Sequence, residues 1–316
     1  MKKKLHFLGN RCALVLLVFF LTSKAYSQLS LGFGQLEAGV TLSPSNLLGD
    51  LGGRYGKGGA FLKDNVVSNT KILIGAHFTA SPKEWLGFRL AFNYGTVAGD
   101  DGMIKSKGGL EELRKARNLN FKSKISELYI AAEFSPTVFF EADPSAVFHK
   151  LRPYGLAGIG VFHFNPQGLD PVTGEWIHLK ELHTEGQGFP EYPDRKEYKL
   201  VQLNIPVGIG VKYFINDDVS ISAEAIHRNT FTDYLDDVSK DYIDPALFYR
   251  NLPAAKAIMA ERMADKSIGT VNKVAGDQRG TPKNNDSFYS CGIKLSFRIG
   301  DNFGLRNSTR CPVVRF

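Results

Sequence analysis

Residues Ser287 to Ile299 read SFYSCGIKLSFRI, and they alternate. Tyr289, Cys291, Ile293, Leu295, Phe297 and Ile299 share one face, while Ser290, Gly292, Lys294, Ser296 and Arg298 share the other. A period of two is that of a β-strand. In a soluble sandwich the apolar face turns inward. In an outer-membrane barrel it turns outward to lipid, and the charged face lines the interior. Periodicity alone does not separate the two.

The order of residues within the stretch favours the second arrangement. Ser290, Gly292, Leu295 and Phe297 make the pattern polar-x-Gly-x-x-apolar-x-apolar, which resembles the closing strand by which the barrel-assembly machinery recognises its clients. So short a pattern recurs by chance, and the rest of the chain has to carry the reading.

The same alternation recurs upstream. Leu36, Ala38, Val40 and Leu42 flank Glu37, Gly39 and Thr41. Ile72 to Phe78 and Leu86 to Tyr94 make the second and third strands, the latter with Arg89 opposite its apolar row. Leu128, Ile130, Ala132 and Phe134 oppose Glu127, Tyr129 and Glu133. Tyr154 to Phe164 is glycine-rich and its faces are ambiguous. Val201 to Tyr213 places Lys212 on its polar face, and Val219 to Ala225 opposes Glu224 and Arg228. With the last stretch these make eight, an even number, as a closed up-and-down barrel requires.

Connection lengths alternate as well. Segments 44–69, 98–121, 165–198 and 231–286 are long, 81–84 and 216–218 are tight, and 137–151 is intermediate. Long loops at one end and short turns at the other are the habit of outer-membrane barrels. The expected fold is therefore all-β: an eight-stranded antiparallel up-and-down transmembrane β-barrel with long extracellular loops carrying short helices. Both termini fall on the short-turn, periplasmic side. The helical stretches are Leu110 to Arg117 and Pro245 to Asp265, the second interrupted by Pro253. A lipocalin-like soluble barrel shares the strand count, but its apolar face lines a cavity. Here the inward face would carry Glu37, Arg89, Glu127, Glu133, Lys212, Glu224, Arg228, Lys294 and Arg298, four acids and five bases that can pair almost completely. Eight strands leave an interior only wide enough for side chains, so a plugged barrel without an open pore is expected.

The chain opens with Lys2, Lys3 and Lys4, runs through nine apolar residues from Ala13 to Leu21, and reaches small residues at Ala25 and Ser27. This predicts a cleaved signal peptide over 1–27, a barrel domain over 28–299 and a periplasmic tail over 300–316. Removing Lys2, Lys3, Lys4, Arg11 and Lys24 takes away five positive charges and no negative ones, so the net charge falls from +7 to +2. The basic balance belongs mostly to the leader, and nucleic-acid binding is set aside. Two cysteines remain. Cys291 lies on the lipid-facing side, which leaves Cys311 for a partner.

Several separate stretches resemble one family. They are Ser45 to Gly53, Tyr94 to Asp101, Arg117 to Phe121 leading to Glu127, and Arg152-Pro153-Tyr154 with Gly158 to Phe162 and Asn165-Pro166. Further on come Ile205 to Tyr213 and Glu224 to Asp237. The most specific piece runs from Thr230 to Ser239 and includes Asp233, Tyr234, Leu235, Asp236 and Asp237. These are similar to the PorG-like proteins, a domain family of unknown function that supplies the outer-membrane barrel of the Bacteroidetes type IX secretion system. The resemblance implies a non-enzymatic subunit seated in outer-membrane lipid. It also implies docking of the periplasmic ring formed by a lipoprotein, PorK- or GldK-like, and its companion, PorN- or GldN-like. The docking surface would comprise turns 81–84, 137–151 and 215–218 and the tail, with Arg306, Arg310 and Cys311 as contact residues.

Other chemistries are weaker. The run Asp233, Asp236, Asp237, Asp241, Asp244 offers oxygens for calcium but lacks the spaced ligands and turn glycine of an EF-hand, so a solvated or hydrogen-bonded loop is expected. Gly49 to Gly53 lacks the Lys-Ser/Thr of a P-loop and reads as a turn. Glu175, His178, Glu181 and His183 are of zinc-ligand type, yet the histidines are spaced off any common helical face. His77 and His163 are expected in the interior or at its rim, each with a hydrogen-bond partner. Some small barrels modify lipid A. That chemistry needs a nucleophile or a histidine oriented by a carboxylate, for which His227 and Asp233 are the nearest candidates. An independent structural barrel or small-solute channel is the remaining alternative. No metal or cofactor is expected.

Overall fold

The computed structural model describes residues 34–51, 67–104, 108–109, 111–140, 150–268 and 273–299. Eight long strands form the wall: β1 (Gln35–Leu48), β2 (Lys71–Lys83), β3 (Leu86–Asp100), β4 (Asn120–Phe134), β5 (Leu151–His163), β8 (Val201–Phe214), β9 (Val219–Thr230) and β10 (Ser287–Ile299). Two short strands, β6 (Pro166–Leu169) and β7 (Trp176–His178), form a hairpin that extends β4. Each wall strand pairs antiparallel with its neighbours, and β10 returns to β1 with Val40 opposite Leu295. The ring is closed, which removes the exposed edges that an open sheet would present.

The alternation read from the sequence sets the two faces. Outward rows include Val40 and Leu42 on β1, Phe88, Leu90 and Phe92 on β3, Leu128 and Ile130 on β4, Ile209 on β8 and Ile293 on β10, all exposed. Inward rows carry Glu37, His77, Arg89, Glu127, Asn204, Lys212, Glu224, Arg228 and Lys294, all buried. An apolar wall around a charged, packed interior inverts the arrangement of a soluble barrel and is that of an outer-membrane barrel in lipid. The fifth wall strand, ambiguous by sequence, turns Tyr154, Leu156 and Phe162 inward. Gly210 on the facing strand makes room for that tyrosine, because a Cβ there would stand 2.4 Å from the Tyr154 ring.

The two ends differ. At the short-turn end Glu84 and Trp85 join β2 to β3, a 3₁₀ turn over Pro136–Phe140 leaves β4, and Asn216 Oδ1 accepts from the Asp218 and Val219 amides between β8 and β9. At the long-loop end the connections carry three short helices: α1 (Glu111–Arg117), α2 (Ala246–Asn251) and α3 (Ala254–Ala264). Pro253 separates α2 from α3, as the sequence predicts, because its missing N–H is tolerated at a helix start and nowhere further in. Leu110, expected to open the first helix, lies outside the described residues. The described chain therefore enters and leaves the wall, at Gln35 and Ile299, on the short-turn side.

Candidate functional site: a sealed lumen beneath a folded cap

The lumen is filled in layers. Nearest the short turns Lys212 Nζ donates to Glu37 Oε2 at 2.8 Å, and Gln35 Nε2 donates to Glu37 Oε1 at 2.7 Å. Beside them a hollow of ≈ 30 Å³ opens between Glu84, Gly87, Ser135, Arg152 and Phe214. That is room for only one or two waters. The next layer centres on Arg89, which bonds Glu133 through Nε and Glu224 through a terminal nitrogen at 2.9 Å. Tyr154 donates to the same Glu224 oxygen at 2.7 Å, and Lys294 Nζ stands 3.5 Å from Glu133. His77 Nε2 meets Ser296 Oγ at 3.0 Å.

Above this, Glu127 receives Arg228 Nε on both oxygens at 2.9 Å, Asn93 at 2.7 Å and Asn204 at 2.6 Å. Arg228 also donates to Ser290 Oγ and lies over the Phe288 ring. Buried charge is tolerable only when paired and hydrogen-bonded. Four acids here meet four bases, one fewer than expected, because Arg298 is only half-buried at the short-turn rim beside Glu37.

The long-loop mouth is closed by apolar side chains. Leu73, Val97, Leu119, Phe121, Ile125, Phe162, Phe164 and Phe288 converge with Leu51 and Tyr198, and Leu235 and Val238 enter from the loop after β9. The family-motif stretch is thus the stopper. Asp237 sits at φ +66, a left-handed conformation that Asp adopts more readily than most residues. It accepts from Tyr198 at 2.7 Å and from Thr184 at 2.5 Å. Tyr234 stacks on Tyr198 at 5.0 Å between centroids. Asp236 accepts from the Leu51 and Val238 amides, and Asp233 from Ser239 Oγ. The solvated version of the acidic-run expectation is therefore corrected: Asp236 and Asp237 are fully buried, the first because it satisfies loop amides that would otherwise be unpaired and the second because it accepts from the Tyr198 and Thr184 hydroxyls.

Above the stopper the cap has its own core, with Leu179, Leu182, Phe189, Ile243, Phe248, Ala257, Ala260 and Met263 packed together. Arg279 ties cap to stopper. It bonds Glu185 Oε1 at 2.8 Å and the Asp237 and Ala264 carbonyls, while Glu185 also accepts from the Ser239 and Lys240 amides. Arg117, bonded to Asp101 within the β3–β4 loop, ties that loop to the same region through the Arg279 and Asp50 carbonyls. Burial opposes the Arg279 charge, but Glu185 and Asp237 outweigh it and raise its pKa. Burial pushes Asp237 up to about 6 and Asp233 up to about 8. It also lifts Asp236 and Asp286 well above the usual carboxylate range, each reinforced by neighbouring carboxylates.

The remaining candidates are scattered. His178 bonds Gln167, Glu181 pairs with Lys256, and His183 Nδ1 meets the Gln187 carbonyl. Among the described residues no three His, Cys, Asp or Glu side chains converge as metal ligands do. His227 bonds Asn229 while Asp233 bonds Ser239, so the two are not brought together. His163 is exposed on the outer face of β5, unlike the interior His77. Cys291 is exposed on the outer face and its thiol is free among the described residues. Arg306, Arg310 and Cys311 lie outside the described residues. Sequence reasoning passed over Glu185, Arg279 and the inward aromatics. For Phe288 a signal existed, since it shares the parity of Ser290 and Lys294 on its strand.

Fold and interior together define a transmembrane β-barrel of outer-membrane type with a sealed lumen. The chain belongs to the DUF6089 family, a domain of unknown function whose model matches residues 10–175. The match ends before the stopper segment. No curated protein sequence matches the chain. Solved structures similar to it include Ail, the attachment invasion locus protein of Yersinia pestis, in complex with sucrose octasulfate, at 7% identity over 84% of this chain and 99% of that one, TM-score 0.36. Neisserial surface protein A is 9% identical over 83% of this chain and 96% of that one, TM-score 0.37. A major outer membrane protein from Thermus thermophilus is 12% identical over 84% and 100%, TM-score 0.37. At these values the likenesses add nothing to the topology already described.

Proposed function

We propose that this protein is a non-enzymatic outer-membrane subunit of a type IX secretion apparatus that anchors the periplasmic lipoprotein ring. The observation that carries the reading is the sealed lumen. Among the described residues, ion-paired layers and an aromatic stopper fill the lumen, which leaves function to the surfaces. The PorG-like stretches of the sequence favour the secretion role over other anchors. In this reading the long loops and cap are extracellular and both termini are periplasmic. The ring lipoprotein (PorK- or GldK-like) and its companion (PorN- or GldN-like) meet the short-turn face, comprising turns 81–84, 137–151 and 215–218 and the tail, with Arg306, Arg310 and Cys311 at the contact.

The test is purification of the tagged protein from gently solubilised outer membranes, with and without reductant, and identification of every co-purifying chain. Recovery of the ring lipoprotein and its companion supports the role, and a reducible adduct lost in Cys311→Ser puts that thiol at the contact. Recovery of a lone barrel favours the second reading, an independent structural barrel, with which the filled lumen is equally compatible.

A further inference from the structure

Among the described residues, the 3₁₀ turn Pro136–Phe140 is the most apolar of the short-turn segments, and its two phenylalanines are exposed. None of its residues is buried, and Phe140 at 77% exposure is the most exposed large apolar side chain among the described residues, with Phe139 at 61%. Water is a poor environment for two adjacent phenylalanines. Phe139 does not hang free. Its ring lies 5.8 Å from Trp85 and 6.3 Å from Phe134, and Trp85 meets Phe134 edge-on at 6.0 Å. These are the separations of packed aromatic rings. The Ser135 amide donates to the Trp85 carbonyl at 2.9 Å and holds the cluster to the β2–β3 turn.

Position decides what the cluster meets. Phe134 is the last member of the outward row Leu128, Ile130, Ala132, Phe134, so whatever packs on it stands on the lipid side of the wall. Through Phe134 the patch adjoins the lipid-facing row of β4. Lys83 and Lys150, both exposed, flank it at the ends of the adjoining strands. An aromatic cluster with lysines beside it suits the boundary between acyl chains and phosphate headgroups. The other short turn, Asn216 to Asp218, is polar.

We propose that Pro136–Phe140 is a membrane foot. Phe139 and Phe140 enter the leaflet at the short-turn end, Trp85 and Phe134 form the platform beneath them, and lipid rather than a protein partner covers this corner of the barrel. The inference rests on the barrel spanning a membrane and not on the identity of any partner. It narrows the expected docking surface, because residues 136–140 of it are taken by lipid.

The protein contains two tryptophans, Trp85 and Trp176, and Trp176 lies on β7 at the opposite end. In Trp176→Phe, refolded into phosphatidylcholine–phosphatidylglycerol vesicles, Trp85 is the sole indole. The expected result is quenching of Trp85 by lipids brominated near the headgroup, more than by lipids brominated deep in the chain, with little quenching by aqueous acrylamide. Adding Phe139→Ser and Phe140→Ser should at least halve the bromolipid quenching. Phe140→Ser alone, which disturbs no ring contact among the described residues, should lower it by a smaller margin. Heat-modifiable migration in gels reports whether each variant is a folded barrel. Acrylamide quenching without bromolipid quenching in the parent would overturn the proposal, as would unchanged bromolipid quenching in the folded serine variants. Shielding seen only in native membranes and not in pure lipid would assign the patch to a protein. A fluorophore on Cys291 in a Cys311→Ser background is the control. If it is quenched by bromolipid while Trp85 is not, the foot fails and the membrane reading stands; if neither is quenched, both fail.

Discussion

Arg228 and Glu127 are 101 residues apart in the chain, yet Arg228 Nε lies 2.9 Å from both carboxylate oxygens of Glu127 at the centre of the lumen. Both side chains are essentially inaccessible. The pair bridges opposed strands, β9 and β4, and shares its carboxylate with amide donors from two more. It fills the lumen and fixes the strands around it.

Arg228→Met should therefore leave a buried carboxylate with only Asn93 and Asn204 as donors, at a cost of about 3–5 kcal/mol. Combining it with Glu127→Gln should recover most of that loss, since no unpaired charge remains. Urea unfolding in detergent micelles, followed by tryptophan emission, measures both. An additive double variant would show that the two do not act as a pair.

Leu235 inserts the loop after β9 into the aromatic stopper and is fully buried. Leu235→Ala should cost about 2–5 kcal/mol through the cavity it leaves. It should open no conductance in planar bilayers, because the Arg89 and Glu127 layers still fill the wall below. Ion conductance in this variant would show that the stopper alone seals the barrel.

Arg279 holds Glu185 and the stopper carbonyls from within the cap. In Arg279→Met the Glu185 carboxylate loses its cation while buried, and the cap should open locally at a cost of about 3–5 kcal/mol. Faster amide exchange at 237–240 and protease nicking within 231–286 are the expected signs, with gel migration still that of a folded barrel. Loss of the barrel itself would mean that cap and wall form one cooperative unit.

The carboxylates around the stopper predict a pH dependence of definite sign. Burial raises Asp233 to about 8 from an ordinary 3.8, with Asp50, Asp236, Asp286 and Glu185 as acidic neighbours and Arg117 and Arg279 as the nearby cations. The folded cap then binds more protons than the unfolded loop, so the contribution of Asp233 to its stability falls as pH rises from about 4 and levels off above about 8. Asp233→Asn should flatten that slope and slow exchange of cap amides at pH 8 relative to the parent. An identical slope in the variant would remove Asp233 as its source.

Cys291 lies on the lipid-facing side of β10 between Ala225 and the β1 row. In Cys311→Ser, a membrane-partitioning maleimide should modify it readily and a charged, water-soluble one slowly. Cys291→Ser should change stability by no more than about 0.5 kcal/mol. Rapid labelling by the charged reagent would place that face in water.

Sequence reading reached the wall because alternation is a local property. A period of two sorts Lys294 from Ile293 and Glu133 from Phe134 whatever the strand pairs with, and the alternation of loop lengths orients the ring. The lumen charges were legible for the same reason: Glu37, Arg89, Glu127, Glu133, Lys212, Glu224, Arg228 and Lys294 all share the inward parity. Tyr154 to Phe164 was not legible, because glycine and alanine blur its contrast between faces. The acidic run after β9 looked like ordinary loop, since nothing local announces that Asp236 will bond the Leu51 amide from a loop 185 residues away.

The sequence by itself determined an eight-stranded barrel with an apolar exterior, a charged interior and long loops at one end. Only the tertiary structure decided which charge meets which and that Leu235 and Val238 close the mouth with inward phenylalanines. It also decided that Glu185 and Arg279 lock the cap, and that Phe139 rests on Trp85 and Phe134. Facing is set one residue at a time by the pleat of a strand. Pairing across the lumen depends on how far closure of the ring carries each strand past the next, which no single strand encodes.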